Sequence, residues 1–232
     1  MARKARFIVP GYPQHLIQRG NNRQAIFLDD DDRRRYLRLL NDAAREQRLA
    51  IHAYVLMDNH VHILATPEHD GALSRCMQSL GRSYVGWFNH RHQRSGTLWE
   101  GRFKANLIEA DAYLLMCSRY IELNPVRAGM ASGLLEHPWS SVAHHLGVRP
   151  DPLITDHPVF WSLGNTPFER EAAYRAWLEQ GISEAELGQI TAAVLKGQLL
   201  VRADTLKKLQ DASHRDLISK PRGRPVKSLR AE

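Results

Sequence analysis

Long apolar runs are missing from this chain, and so is a cysteine framework. No stretch approaches the ~18 consecutive apolar residues a helix needs to cross a bilayer, so no membrane partner is expected. The charged start Met1-Ala2-Arg3-Lys4-Ala5-Arg6 runs, after three apolar residues, into a Pro-Gly turn, unlike a secretory signal. The 2 cysteines, Cys76 and Cys117, give neither a zinc-ligand spacing nor a disulfide framework. A reducing, cytoplasmic setting is the expectation. Internal repeats are lacking too, which leaves one ordinary globular domain with an extension.

Positive charge is what the chain has in excess. Its 232 residues hold 32 Lys+Arg against 25 Asp+Glu, a formal net charge of +7. Such a balance favours a polyanionic partner, most simply nucleic acid; a solvated basic face without a ligand is the alternative reading. The excess sits in residues 1–150 and again at the end, where Lys220, Arg222, Arg224, Lys227 and Arg230 crowd together.

Periodicity predicts a strand over Gln14-His15-Leu16-Ile17-Gln18-Arg19, closed by Gly20-Asn21-Asn22. Asp29 to Asp32 precede an apolar stripe of Tyr36, Leu37, Leu40 and Ala44, which marks the start of a helix. Two apolar runs, Ala53 to Met57 and Val61 to Ala65, flank Asp58-Asn59 and read as a tight hairpin. From Gly71 a second helix carries Leu73, Met77, Leu80, Tyr84 and Trp87/Phe88 at helical spacing. A fourth strand is expected over Phe103 to Ile108, and then a helix capped by Asp111 and running to Asn124, stopped by Pro125. This order predicts an α+β fold: a ferredoxin-like or RRM-like split β-α-β sheet with an extra helix. Residues 1–148 would form that domain. Residues 149–219, with Pro150, Pro152, Pro158 and Pro167 at the front, read as a linker and helical appendage. Residues 220–232 read as a basic, disordered tail.

Chemistry concentrates in two places. On the second hairpin strand His60 and His62 point the same way, because strand side chains alternate, and two imidazoles on one face make half of a metal site or two surface histidines. On the extra helix Tyr120 and Asn124, spaced i, i+4, share a face, so a phenol and an amide oxygen can be delivered together. His60, His62 and Asn124 would then be three metal ligands and Tyr120 a nucleophile suited to phosphodiester cleavage. Taken singly, Tyr120 is also a packed aromatic and Asn124 a helix-end residue.

These residues resemble a known family. His60-Val61-His62 is similar to the His-hydrophobe-His motif of single-tyrosine HUH transposases. Tyr120-Ile121-Glu122-Leu123-Asn124-Pro125-Val126-Arg127-Ala128-Gly129 resembles, nearly letter for letter, the REP-associated tyrosine transposases. Gln18-Arg19-Gly20-Asn21-Asn22-Arg23-Gln24 and Trp99-Glu100-Gly101-Arg102-Phe103 are similar to that branch too, and the resemblance covers roughly residues 7–147. It implies that Tyr120 attacks single-stranded DNA beside a palindromic-repeat hairpin, leaving a 5′-phosphotyrosine and a free 3′-hydroxyl. It implies Mg²⁺ or Mn²⁺ held by His60, His62 and Asn124; ligand softness alone points imidazoles toward zinc or manganese. A monomer or homodimer is compatible with it.

The arginines expected to meet DNA are Arg19, Arg82, Arg91, Arg94, Arg102, Arg222 and Arg224. Arg222-Gly223-Arg224-Pro225 resembles an AT-hook core, which lies in narrow A·T minor grooves; a basic tail gripping phosphates is the alternative. Two rival functions remain at this level, a hairpin-binding protein without turnover and an RNA-binding protein of RRM type. The RRM reading lacks paired aromatics on the central strands.

Overall fold

Alternation along the strands builds one antiparallel sheet from β1 (Gln14–Arg19), β2 (Leu49–Met57), β3 (His60–Pro67) and β4 (Lys104–Leu107), in the order β2-β3-β1-β4. A computed structural model describes residues 6–214 and 217, apart from the side chains of 195 and 196. The helices α1 (Asp30–Glu46) and α2 (Ala72–Arg91) follow β1 and β3, giving the split β-α-β order expected. Asp58-Asn59 closes the hairpin, with Met57 paired to His60.

The sheet is buried on both faces, so its strands sort their side chains twice. Leu16, Tyr54, Leu56, Val61 and Ile63 pack with Tyr36 and Leu40 of α1 and with Leu73, Met77, Leu80 and Phe88 of α2. The other face carries Ala53, Val55, Met57 and Leu64 against Leu114, Cys117 and Ile121 of α3 (Ala110–Glu122). A register shift in β2 between Ile51 and Ala53 lets Ile51 and Tyr54 share the first face and sets His52 at the irregularity. His52 is 5% exposed, its Nδ1 bonded to the Thr155 carbonyl at 2.7 Å and its Nε2 to Thr66 Oγ1 at 2.8 Å.

Asp29 caps α1, accepting from the Asp32 amide, and the acidic run lies in the first turn as expected. The third helix differs from expectation at both ends. It is capped by Glu109, with Asp111 inside its first turn, and it stops at Glu122 instead of reaching Asn124. Asn124 begins a separate turn, α4 (Asn124–Arg127), with Pro125 in its first positions. The physical reason is the proline, which cannot donate within a continuing helix but suits the start of a new one.

Beyond residue 140 come α5 (Val142–His145), α6 (Pro158–Trp161), α7 (Pro167–Glu179), α8 (Glu184–Lys196) and α9 (Ala203–Ser213). The last three occupy the stretch read from sequence as a helical appendage; α5 and α6, four residues each, leave no periodic trace. Thr166 and Ser183 start α7 and α8 with full capping boxes. The proline-marked stretch lies along β2: Ile154 bridges Ile51, the Thr155 amide donates to Ile51 at 2.7 Å, and Tyr54 Oη donates to Asp151 at 2.6 Å. Leu200 bridges Ile108 next to β4. No described helix is long and apolar enough to cross a membrane.

Burial lowers His52 to about 4, against a partly offsetting bond to the Thr155 carbonyl. A depressed histidine contributes stability that is whole above its unfolded value near 6.5 and is lost as pH falls toward the folded value. The loss is on the order of 3 kcal/mol. Urea midpoints measured between pH 7 and pH 4.5 should fall steeply for the parent and more gently for His52→Gln.

Candidate active site

The register of β3 on β1 decides what shares the face beneath α3. Ile17 lies opposite His62 and Arg19 opposite His60, while His15 is opposite Leu64 on one side and Asn106 on the other. Strand alternation therefore puts His15, His60, His62 and Asn106 on one surface. His15 Nε2 and His62 Nδ1 are 2.8 Å apart, and their rings stack at 5.1 Å. The His60 and His62 rings stand 5.0 Å apart at 72°. Asn59 Oδ1 holds His60 Nδ1 at 2.7 Å, which fixes the proton there and leaves Nε2 with a lone pair.

Burial makes these imidazoles neutral. It pushes His15 down to about 3 and His60 to about 4, where Arg19 adds to the effect and Asp58 opposes it. His62 falls well below its ordinary value from burial first and then from His15, His60 and Arg19. Neutral imidazole is the form that ligates a metal. For His62 to present Nε2, its Nδ1–H must donate to His15 Nε2, so the proton of His15 then sits on Nδ1. That atom is buried and has no partner among the described residues. The donor set of two Nε2 atoms therefore fits a divalent ion, since rings 5.0 Å apart can both reach one ion at ~2.1 Å. Among the described residues no cluster of three or more His, Cys, Asp or Glu could hold one, so any further ligand must be an amide, water or substrate oxygen.

The helix α3 lays Tyr120 across this group. The half-buried phenol ring is 5.6 Å from the His62 ring and 5.8 Å from His15, both edge-on. One chain thus brings its own tyrosine to its own histidines. Asn124 Nδ2 donates to the Tyr120 carbonyl at 3.1 Å, closing the last turn and leaving Oδ1 as its remaining polar atom. The Arg127 guanidinium lies 5.0 Å from the Tyr120 ring centroid, a positive charge beside the phenol.

Two residues beyond Tyr120, Glu122 ties the end of α3 down. Its Oε1 accepts from Ser141 Oγ at 2.5 Å and meets His145 Nδ1 at 2.6 Å, and its Oε2 accepts from Tyr174 Oη at 2.7 Å. Burial alone would lower His145, yet the Glu122 carboxylate raises it above its ordinary value. One turn earlier on the same side, Arg119 bonds Glu186 at 2.5 Å and stacks 3.8 Å over Trp177. The helix α3 is thereby clamped between the sheet and α7–α8.

The arginines named from sequence scatter. Arg19 lies next to His60, at the site. Arg91 is engaged by the acidic cap of α1, its Nη1 at 2.7 Å from Asp29 and 2.6 Å from Asp32. Arg94 donates to Gln24 at 2.9 Å. Arg82 and Arg102 both line one cavity on the other face of the sheet. Arg222 and Arg224 lie outside the described residues. His15, Arg127 and Glu122 are the site residues that sequence reasoning did not single out. For His15 the available signal was its phase, since it occupies the same strand face as Arg19.

A family model described as IS200-like transposase matches residues 9–124, half of the chain. A solved structure described as a REP-associated tyrosine transposase bound to a REP hairpin is 22% identical, with TM-score 0.54, over 68% of this chain and 93% of that one. That likeness is one of fold. A crystal structure of a transposase-like protein from Deinococcus radiodurans is 24% identical over 52% of this chain and 96% of its own, and its TM-score of 0.37 carries no weight. No curated protein matches the sequence.

The Glu122 contacts generate a prediction. A buried carboxylate with three hydrogen-bonded partners, one a histidine whose proton it favours, is costly to lose, so Glu122→Gln should lower stability by about 3 kcal/mol in urea titrations. Histidine NMR titration should show His145 returning to a lower value, because the charge that raises it is gone.

Proposed function

The chain belongs to the IS200-like transposase family, and from that premise we propose that it is a metal-dependent endonuclease and strand-transferase for single-stranded DNA, acting beside palindromic-repeat hairpins. The observation that carries this reading is the convergence of Tyr120 with His60 and His62, brought together from one helix and a strand far back in the chain. The letter-for-letter resemblance of residues 120–129 to the REP-associated branch supports the choice of substrate, and the basic balance of residues 1–150 suits a DNA partner.

Tyr120 Oη attacks the scissile phosphorus. The new bond joins phosphorus to the phenol oxygen as the phenol proton passes to water, the bond to the 3′-oxygen breaks, and that oxygen takes a proton from water to leave as a hydroxyl. The 5′-phosphotyrosine keeps the energy of the phosphodiester, so a second 3′-hydroxyl can attack it and restore a continuous strand. His60 Nε2, His62 Nε2 and Asn124 Oδ1 would hold Mg²⁺ or Mn²⁺, which when bound polarises the phosphate and offsets developing charge. His15 keeps the His62 ring in the ligating tautomer through their shared bond of 2.8 Å. Arg127, beside the phenol ring, attracts the phosphate, and its charge also disfavours a proton on His62. Residues 1–148 would supply the chemistry and 149–219 the brace that holds α3 in place.

A hairpin oligonucleotide with an unpaired flank, incubated with Mn²⁺, should yield a covalent adduct on a denaturing gel. Tyr120→Phe should abolish the adduct while still binding the hairpin. Tight hairpin binding with no adduct from the parent, under any divalent ion, would replace this reading with a binding protein lacking turnover. His15→Phe should weaken Mn²⁺ binding by about 10- to 100-fold in a direct metal titration, since removing an outer-shell partner of a ligand has effects of that size.

A further inference from the structure

Between β1 and α1 the chain makes a tight turn, Gly20 to Gln24, that lies against the hairpin carrying His60. Several bonds pin it there. The Gly20 amide donates to the Asn59 carbonyl, the Asn21 amide to the Leu98 carbonyl and the Ile26 amide to the Asp58 carbonyl, each at 2.8 Å. The Gln24 side chain donates to the Leu98 carbonyl at 3.3 Å and accepts from Arg94 at 2.9 Å. At Gly20 an added Cβ would collide with the Gln24 carbonyl oxygen, so only glycine lets the turn close this tightly. Asn22 and Arg23 both hold positive φ, 50° and 58°. Asparagine visits that region readily and arginine does not, so the backbone here is strained. Such strain persists only where the surroundings impose it, and the bonds on either side of the turn do so.

What the strained backbone presents is the Arg23 carbonyl. Asn59 Nδ2 donates to that oxygen at 3.1 Å, and Asn59 Oδ1 lies 2.7 Å from His60 Nδ1. A carbonyl can only accept, so the Asn59 amide must turn its nitrogen to Arg23 and its oxygen to His60. The reversed amide would set oxygen against oxygen. With Oδ1 facing it, His60 Nδ1 must carry the proton, and Nε2 keeps its lone pair. Carbonyl, amide and imidazole in this order thus admit one proton arrangement. The side chains of Asn22 and Arg23 are exposed and take no part in it.

We propose that the Gly20–Gln24 turn sets the tautomer of His60 from outside the site, through the Arg23 carbonyl and Asn59. This rests on the preceding section's reading of His60 Nε2 as a metal ligand. Asn59 and the Arg23 carbonyl are positioning groups, since both act on the ion only through His60. Disturbing the turn would therefore weaken metal binding without altering any ligand.

The full chain, labelled with nitrogen-15 in histidine and free of metal, reports the proton directly. Long-range proton–nitrogen correlation at about pH 8, where His60 is neutral, distinguishes Nδ1–H from Nε2–H. The His60 signals are those lost in His60→Gln. The parent should show the Nδ1–H form. Arg23→Gly removes the side chain but takes a positive φ without strain, so it should keep that form and the parent's Mn²⁺ affinity. Arg23→Val holds that φ poorly, so the carbonyl should move and the Nε2–H form appear. Mn²⁺ binding, titrated directly, should then weaken about tenfold or more. Asn59→Asp, which keeps an acceptor for Nδ1–H, should retain the parent form, and Asn59→Leu should lose it. Urea midpoints check that each variant is folded, and the Asn59 pair decides the outcome if Arg23→Val does not fold. An Nε2–H form in the parent overturns the proposal. So do identical His60 signals in folded Arg23→Gly and Arg23→Val, or an unchanged tautomer in Asn59→Leu. A parent with the Nδ1–H form that binds no divalent ion leaves this positioning standing and refutes the metal-dependent reading instead.

Discussion

The pairing of β3 with β1 is the constraint on which the site depends. Its register sets Ile17 against His62 and Arg19 against His60, and it is held by burial on both faces: Val61 and Ile63 under α1 and α2, Leu64 under α3. A shift of one residue would turn both imidazoles into the apolar layer beneath α1 and α2 and send Val61 and Ile63 to the face of Tyr120. The hydrophobic pattern that specifies the strand therefore also specifies the face both imidazoles occupy. The same burial disfavours protons on His60 and His62, so packing sets their charge as well as their position.

Much of this was legible from the chain alone, because alternation and helical spacing are local signals. The strand at 14–19, the hairpin around Asp58-Asn59 and the long helix after Gly71 stand where periodicity puts them. The break after Glu122 was misread as a helix end at Asn124: proline stops one helix and starts another, and only the backbone shows which residue belongs to which. His15 was hidden for a different reason. It bonds a residue 47 positions away, and nothing near it in sequence marks the contact. Glu122 was read as one letter of a motif, whereas its partners Ser141, His145 and Tyr174 lie 19 to 52 positions further on. Arg91, an arginine the sequence offers to DNA, bonds the acidic cap of α1. The acidic run at Asp29–Asp32, already noted as a helix start, was the partner to look for.

The extension after residue 148 changes the mechanical setting of the tyrosine. An isolated helix on an open sheet face is held by apolar contact alone, which permits sliding. Here Glu122 and Arg119 anchor one side of α3, a turn apart, through directional, charge-assisted bonds, so the ring of Tyr120 is positioned along the helix axis as well as against the sheet.

The bridges of Ile154 to Ile51 and of Leu200 to Ile108 have a further consequence. A four-stranded sheet has two outer margins whose unpaired amides and carbonyls invite another strand. In this molecule the chain's own later segments sit on the outer side of β2 and at the end of β4. Any association that extended the sheet into a neighbouring molecule at those points would first have to peel these segments away, so the extension acts as a guard against fibrous self-assembly.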